Sequence, residues 1–152
     1  MSNMGAIMRQ MKAIVEYDAS ICSEKDASKW KVSVDASKCP ENLLRAMKKT
    51  RNNKLTFVVH FTESFPFEPP FVRVEAPVFV QGSGHVLIGG GICSQALSDS
   101  GWLPTFKIES LIHSLLILID SGNPEIVKNG RYCYSEEEAR ESYKRAKMKY
   151  AW

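Results

Sequence analysis

Several things are missing from this sequence, and each absence closes off a class of function. No C-x-x-C pair occurs among Cys22, Cys39, Cys93 and Cys133, so a zinc knuckle has no ligand spacing to build on and no metal site is expected. No run of eighteen apolar residues appears and no signal peptide is visible, so no membrane is expected as a partner. The chain reads as cytoplasmic or nuclear with reduced thiols. The net charge is a modest +3, and no basic run is interleaved with aromatics, so nucleic acid is not expected as a partner either. Repeats and low-complexity tracts are also absent.

What is present is ordinary for a globular protein: 152 residues, 44% hydrophobic and 24% charged. One domain spanning 1–152 is expected, large enough to bury a core without disulfide staples. Met4, Ile7, Met8, Met11, Ile14 and Val15 recur at three- and four-residue steps and predict an amphipathic helix over 4–17. Trp30, Val32 and Val34 alternate with polar residues, which reads as the first strand. Residues 42–49 read as a short helix. Leu55, Phe57, Val59 and Phe61 give a clear strand whose more polar face carries His60, a residue expected to pack across strands.

Phe65-Pro66-Phe67-Glu68-Pro69-Pro70 holds three prolines, which forbid regular pairing and require a rigid loop leading into a strand at Phe71. Its aromatics leave two readings open, a plug in the core or an exposed contact surface. Residues 75–92 form a long irregular segment, of the kind that is usually functional in a compact domain. Thr105 is positioned to cap a helix carrying Ile108, Leu111, Ile112, Leu115, Leu116 and Ile119, apolar enough to be central. Asp120-Ser121-Gly122-Asn123-Pro124 ends it. Ser135 and Glu138 have capping-box spacing, and the last helix is expected to run to the C-terminus through Ala139, Tyr143, Ala146 and Tyr150.

The organising stretch is Gly89-Gly90-Gly91-Ile92-Cys93, followed eight residues on by Gly101-Trp102. A cysteine behind three glycines sits where backbone can approach closely, and a purely structural cysteine is more at home among branched apolar residues. This stretch, the following Ile-Glu-Ser with its apolar helix, and the Phe-Pro-Phe-Glu-Pro-Pro loop resemble the ubiquitin-conjugating enzymes, specifically their divergent Q subgroup. The resemblance covers nearly the whole chain and is strongest from Phe65 to Asp120. It implies an α/β (α+β) fold: an antiparallel meander sheet with N-terminal, central and C-terminal helices.

It also implies a function. Cys93 would accept ubiquitin as a thioester from an activating enzyme and pass it to a lysine or hydroxyl of a protein substrate, usually with a ligase. ATP would be consumed by the activating enzyme, and no cofactor would be held here. Thiolate is the nucleophile in such chemistry, and the tetrahedral oxyanion needs a donor. Most of the family carries His-Pro-Asn with the Asn eight residues before the cysteine. This chain has Gly82-Ser83-Gly84-His85, so His85 holds that position, as a donor for the oxyanion or as a residue facing solvent. The backbone of Gly91 and Ile92 offers alternative donors. Asp120 and Glu125 fall near the acids that assist the acceptor in relatives, or are solvated loop acids. Phe67, Pro104, Arg9 and Lys12 are the partner-binding positions the resemblance implies. Two other classes stay open at this level: an inactive variant that only binds ubiquitin or a partner, and a cysteine hydrolase, which needs a Cys–His pair.

Overall fold

The computed structural model describes residues 3–150, with only the backbone described at Gln95, Lys147, Lys149 and Tyr150. The expectation that the last helix runs to the C-terminus falls, over 151–152, outside the described residues. Helix α1 (Met4–Lys12) leads into strands β1 (Asp18–Ser23) and β2 (Asp26–Asp35), then helix α2 (Glu41–Lys49). Strands β3 (Lys54–His60) and β4 (Phe71–Ala76) follow, then helices α3 (Ile108–Ser121) and α4 (Glu136–Tyr150). The four strands form one antiparallel sheet in the order β1-β2-β3-β4, the expected meander.

Register explains the core. Trp30 faces Val59, Val32 faces Phe57 and Val34 faces Leu55 across β2 and β3, while Phe57 meets Val74 and Val59 meets Val72 across β3 and β4. All of these are buried, because alternation puts every second side chain on the same face. Helix α3 covers that face with Ile108, Leu111, Ile112, Leu115, Leu116 and Ile119, each at most 4% exposed. Burying side chains of this size stabilises by about 1.5–3 kcal/mol each, so α3 is the principal clamp on the sheet.

Three local readings are corrected. The helix expected over 4–17 stops at Lys12, because the Val15 and Glu16 amides donate to the Glu109 carboxylate at 2.5 and 2.9 Å instead of continuing the helix. Strand β1 precedes the strand read as first; its inward residues are only Ala19 and Ile21, too weak a pattern to register. Thr105 does not cap α3. The Ile108 amide at its start is taken by the Gln10 side chain of α1 at 3.1 Å. By contrast, the capping box of α4 is formed as read, with Ser135 N–H on Glu138 at 2.6 Å and Glu138 N–H on Ser135 Oγ at 3.3 Å.

Helix α2, read from residues 42–49, buries Leu43, Ala46 and Met47. Helix α4 lies on the opposite face of the sheet. Its Glu136 reaches Lys29 at 2.8 Å and approaches His60 at 3.7 Å, and the Arg140 guanidinium stacks 4.6 Å from the Phe71 ring. His60 packs across strands against Phe71 and accepts the Arg73 Nε–H at 3.2 Å.

Candidate active site

The triple glycine is explained by what passes on either side of it. A Cβ on Gly89 would lie 2.5 Å from the Glu138 carbonyl of α4, and one on Gly90 would strike the Val74 carbonyl of β4 and the Tyr134 ring. Both residues also hold positive φ, 94° and 96°, which glycine alone adopts without strain. The segment is thus sandwiched between β4 and the first turns of α4, with Ser142 Oγ bonded to the Ile88 carbonyl.

From there the chain doubles back on itself. Leu87 N–H bonds the Gly91 carbonyl at 2.6 Å and Cys93 N–H bonds the His85 carbonyl at 2.9 Å, while Val86 and Ile92 face each other in the core. This short ribbon presents Cys93, half-buried, at its end. His85 and Cys93 are therefore brought together through the main chain. The imidazole itself packs over the end of α3, since a Cβ on Gly122 would sit 2.7 Å from His85 Cδ2. No hydrogen bond joins the imidazole to Cys93 Sγ among the described residues. His85 also has φ 58°, a left-handed backbone that histidine tolerates only moderately well.

Two amides of the ribbon are already engaged. The Cys93 amide is held by His85, and the Gly90 amide bonds the Leu87 carbonyl at 2.9 Å. Gly91 and Ile92 are buried within the ribbon and support it. The loop around His85 is fastened to the segment after α3: Gly84 N–H bonds Gly122 O at 2.9 Å, Val80 N–H bonds Glu125 O at 2.8 Å, and Ser83 Oγ bridges the same turn. Glu125 thus contributes its main chain to the loop and keeps an exposed side chain. Asp120 is differently employed, accepting the Leu43 amide at 2.9 Å at the start of α2. Its carboxylate serves there as a remote cap.

One residue of the site was not singled out in the sequence as more than a core position. Tyr143 of α4 donates its hydroxyl to the Leu97 carbonyl at 2.7 Å, just after Cys93. Burial first, then the charges of Asp99 and Cys93, push its pKa up to about 12, so it is a neutral phenol at any ordinary pH. Burial also raises the Cys93 thiol, and no cation among the described residues offsets it. Cys39 is buried with its thiol pushed up to about 11, mainly by burial, so it is inert in the folded chain. Among the described residues no cluster of three His, Cys, Asp or Glu could hold a metal ion, and no helix is long and apolar enough to cross a membrane.

The outer positions are open to solvent. Phe67 is 78% exposed, Pro104, Arg9 and Lys12 are exposed, and Phe65 is the aromatic that plugs the core.

The fold and this cysteine-bearing ribbon define an α/β protein built around an accessible thiol. The family model for "Ubiquitin-conjugating enzyme" matches residues 7–151, and the chain belongs to that family. Relatives place it with the Q subgroup. It is 32% identical over 134 residues to ubiquitin-conjugating enzyme E2 25 of Caenorhabditis elegans, covering 84% of this chain and 34% of that protein. It is 39% identical over 85 residues to human ubiquitin-conjugating enzyme E2 Q1, covering 55% of this chain and 20% of that one. The chain thus spans about a third or less of the length of these relatives. The crystal structure of a ubiquitin-conjugating enzyme from Plasmodium falciparum superposes with a TM-score of 0.59 at 20% identity, over 77% of this chain and 97% of that one. At that identity the likeness speaks for the fold.

Proposed function

We propose that this chain carries ubiquitin as a thioester on Cys93 and transfers it to a lysine or hydroxyl acceptor. The observation that carries the reading is the half-buried Cys93 at the end of a ribbon whose main chain is bonded to His85. In the first step the Cys93 sulfur, giving its proton to solvent, attacks the ubiquitin carbonyl carbon held by the activating enzyme. A new C–S bond forms and the activating enzyme's thiolate leaves. In the second an acceptor amine or hydroxyl attacks the same carbon, the Cys93 C–S bond breaks, and the proton of the acceptor passes to the leaving sulfur or to solvent. ATP is spent by the activating enzyme, and this chain supplies position.

The residues divide that work. Gly89 and Gly90 let the ribbon pass between α4 and β4, the His85 carbonyl fixes the Cys93 amide, and Tyr143 holds the following turn. Glu125 keeps an exposed side chain on the adjoining loop and is the acid we assign to the acceptor side, and Asp120 acts through α2. Phe67, Pro104, Arg9 and Lys12 offer the surface for the activating enzyme and a ligase.

The test is to incubate the protein with activating enzyme, ATP and ubiquitin. A thiol-sensitive adduct should form, Cys93→Ser should convert it to a thiol-resistant ester, and Cys93→Ala should abolish it. An adduct that survives Cys93→Ala and disappears with Cys22, Cys39 or Cys133 replaced would assign the chemistry elsewhere.

A further inference from the structure

Between α2 and the loop after α3 lies an open groove of about 690 Å³. Three cations line it, Arg45, Lys49 and Lys128, against one carboxylate, Glu125. Arg45 is drawn to Glu41 within α2 at 3.1 Å, whereas Lys49 and Lys128 make no ion pair among the described residues. The lining also includes Ala46 and the partly exposed Val80, which give an apolar seat, and the amides of Asn123 and Asn129. Among the described residues no aromatic side chain lines it, so none is offered for a nucleic-acid base to stack on.

The groove is wired to the catalytic ribbon. Val80, in its wall, bonds Glu125, and the chain reaches His85 five residues later, where the carbonyl holds the Cys93 amide. Five residues span at most roughly 18 Å. Helix α2, which forms the other wall, is tied to the end of α3 through Asp120 and Leu43, so the groove has two fixed sides. An extended peptide suits these features: acidic side chains for the cations, an apolar one for the seat, and main-chain groups for the asparagine amides.

We propose that this groove docks an acidic, extended segment of the acceptor protein and thereby delivers a nearby lysine or hydroxyl to Cys93. The proposal rests on the thioester reading for its consequence in transfer, while docking itself is measurable without it.

Two measurements separate the two. First, the uncharged protein is titrated by fluorescence anisotropy with a labelled acidic peptide, its counterpart with Gln and Asn for Glu and Asp, and a single-stranded oligonucleotide. The acidic peptide should bind about tenfold more tightly than the neutral one at low salt, and the advantage should shrink as ionic strength rises. Lys49→Glu with Lys128→Glu should remove the preference, and a lysine-rich peptide should bind that variant in its place. Equal binding of the two peptides, indifference to the double charge reversal, or an oligonucleotide that competes as well as the acidic peptide overturns the proposal.

Second, Cys93 is loaded and transfer is timed to the same two peptides, each carrying one lysine. The acidic one should accept ubiquitin about tenfold faster, and the double variant should lose this preference with charging and discharge to free lysine unchanged. A thioester that discharges equally to both peptides sinks the groove and leaves the conjugating reading intact. Acidic-peptide binding with no thioester sinks the conjugating reading and leaves the groove.

Discussion

The Trp102 indole N–H donates to the Pro66 carbonyl at 2.8 Å, joining two loops that are 36 residues apart. Phe65 fills the space beneath, its ring 4.7 Å edge-on from Phe61 and 6.3 Å from Trp102. The start of α1 is tied to the same place, because Asn3 Nδ2 donates to the Thr62 carbonyl at 2.6 Å. Phe65 and Trp102 are thus spent on the core, and Phe67, Leu103 and Pro104 are left outward on loops that cannot move independently.

Phe67→Ala should therefore leave the melting temperature within about 2 °C of wild type, since an exposed ring contributes little to the fold. Binding to a ligase or charging by the activating enzyme should fall several-fold, as expected when an apolar anchor is removed from an interface. Trp102→Phe should do the reverse at first, costing about 1 kcal/mol of stability through the lost hydrogen bond. A large drop in melting temperature for Phe67→Ala would show that the ring packs inward.

The second prediction concerns His85. Its carbonyl holds Cys93, and its imidazole rests on Gly122. His85→Ala and His85→Asn should therefore discharge a preloaded Cys93 thioester to free lysine, serine and threonine within about threefold of wild type. Losing an oxyanion donor typically costs on the order of a hundredfold. A loss of that size in His85→Ala, restored in His85→Asn, would give the side chain the donor role.

How far the sequence could go is visible in which residues met their partners nearby. The Ser135–Glu138 box is three residues wide and was readable as such. The alternation of Leu55, Phe57 and Val59, and the apolar stripe of α3, directly reflect burial against each other. The end of α1, the cap of α3 and the engagement of Asp120 were not readable, because the deciding partners are Glu109, Gln10 and Leu43, each more than 70 residues distant in sequence. The site divides the same way. Cys93 and its glycines stand together in the chain, but Tyr143 reaches Leu97 across 46 residues and looks, in isolation, like one more core position of a helix. His113 stands beside the apolar stripe of α3 and is exposed.

Tyr143→Phe isolates that contact. It keeps the ring against Phe71, 5.5 Å away, and removes the bond to the Leu97 carbonyl. Stability should fall by about 1 kcal/mol, the usual cost of one such hydrogen bond. Hydrogen exchange should rise selectively in the turn after Cys93, and charging should slow more than the stability loss accounts for. Unchanged exchange at residues 94–98 would mean that the hydroxyl does not hold the turn.

The last prediction is a loss of stability on mild acidification, carried by His60. Burial is the main reason its pKa is pushed down to about 4; nearby Glu136 opposes the shift, and the cations Arg140, Arg73 and Lys29 add to it. The folded protein therefore keeps His60 neutral, able to accept the Arg73 Nε–H, while in the unfolded chain the imidazole takes up a proton near pH 6.5. The unfolded state then binds more protons, so stability is full above about pH 7 and falls as pH drops through 6.5 towards 4, by at most about 1.4 kcal/mol per pH unit. Glu136 is held down to about 2, chiefly by its bond to Lys29, so it adds a loss of the same sign below about pH 4.5. Its side chain is 34% exposed, and solvent screening makes that second contribution smaller. Urea midpoints measured between pH 7 and 5 should show the slope in wild type and lose most of it in His60→Gln, which retains an acceptor for Arg73. Because α4 both carries Glu136 and covers Gly89, amides of α4 and of residues 88–91 should exchange faster at pH 5 than at pH 7, after correction for intrinsic rates. The same slope in wild type and His60→Gln would remove the imidazole as its source.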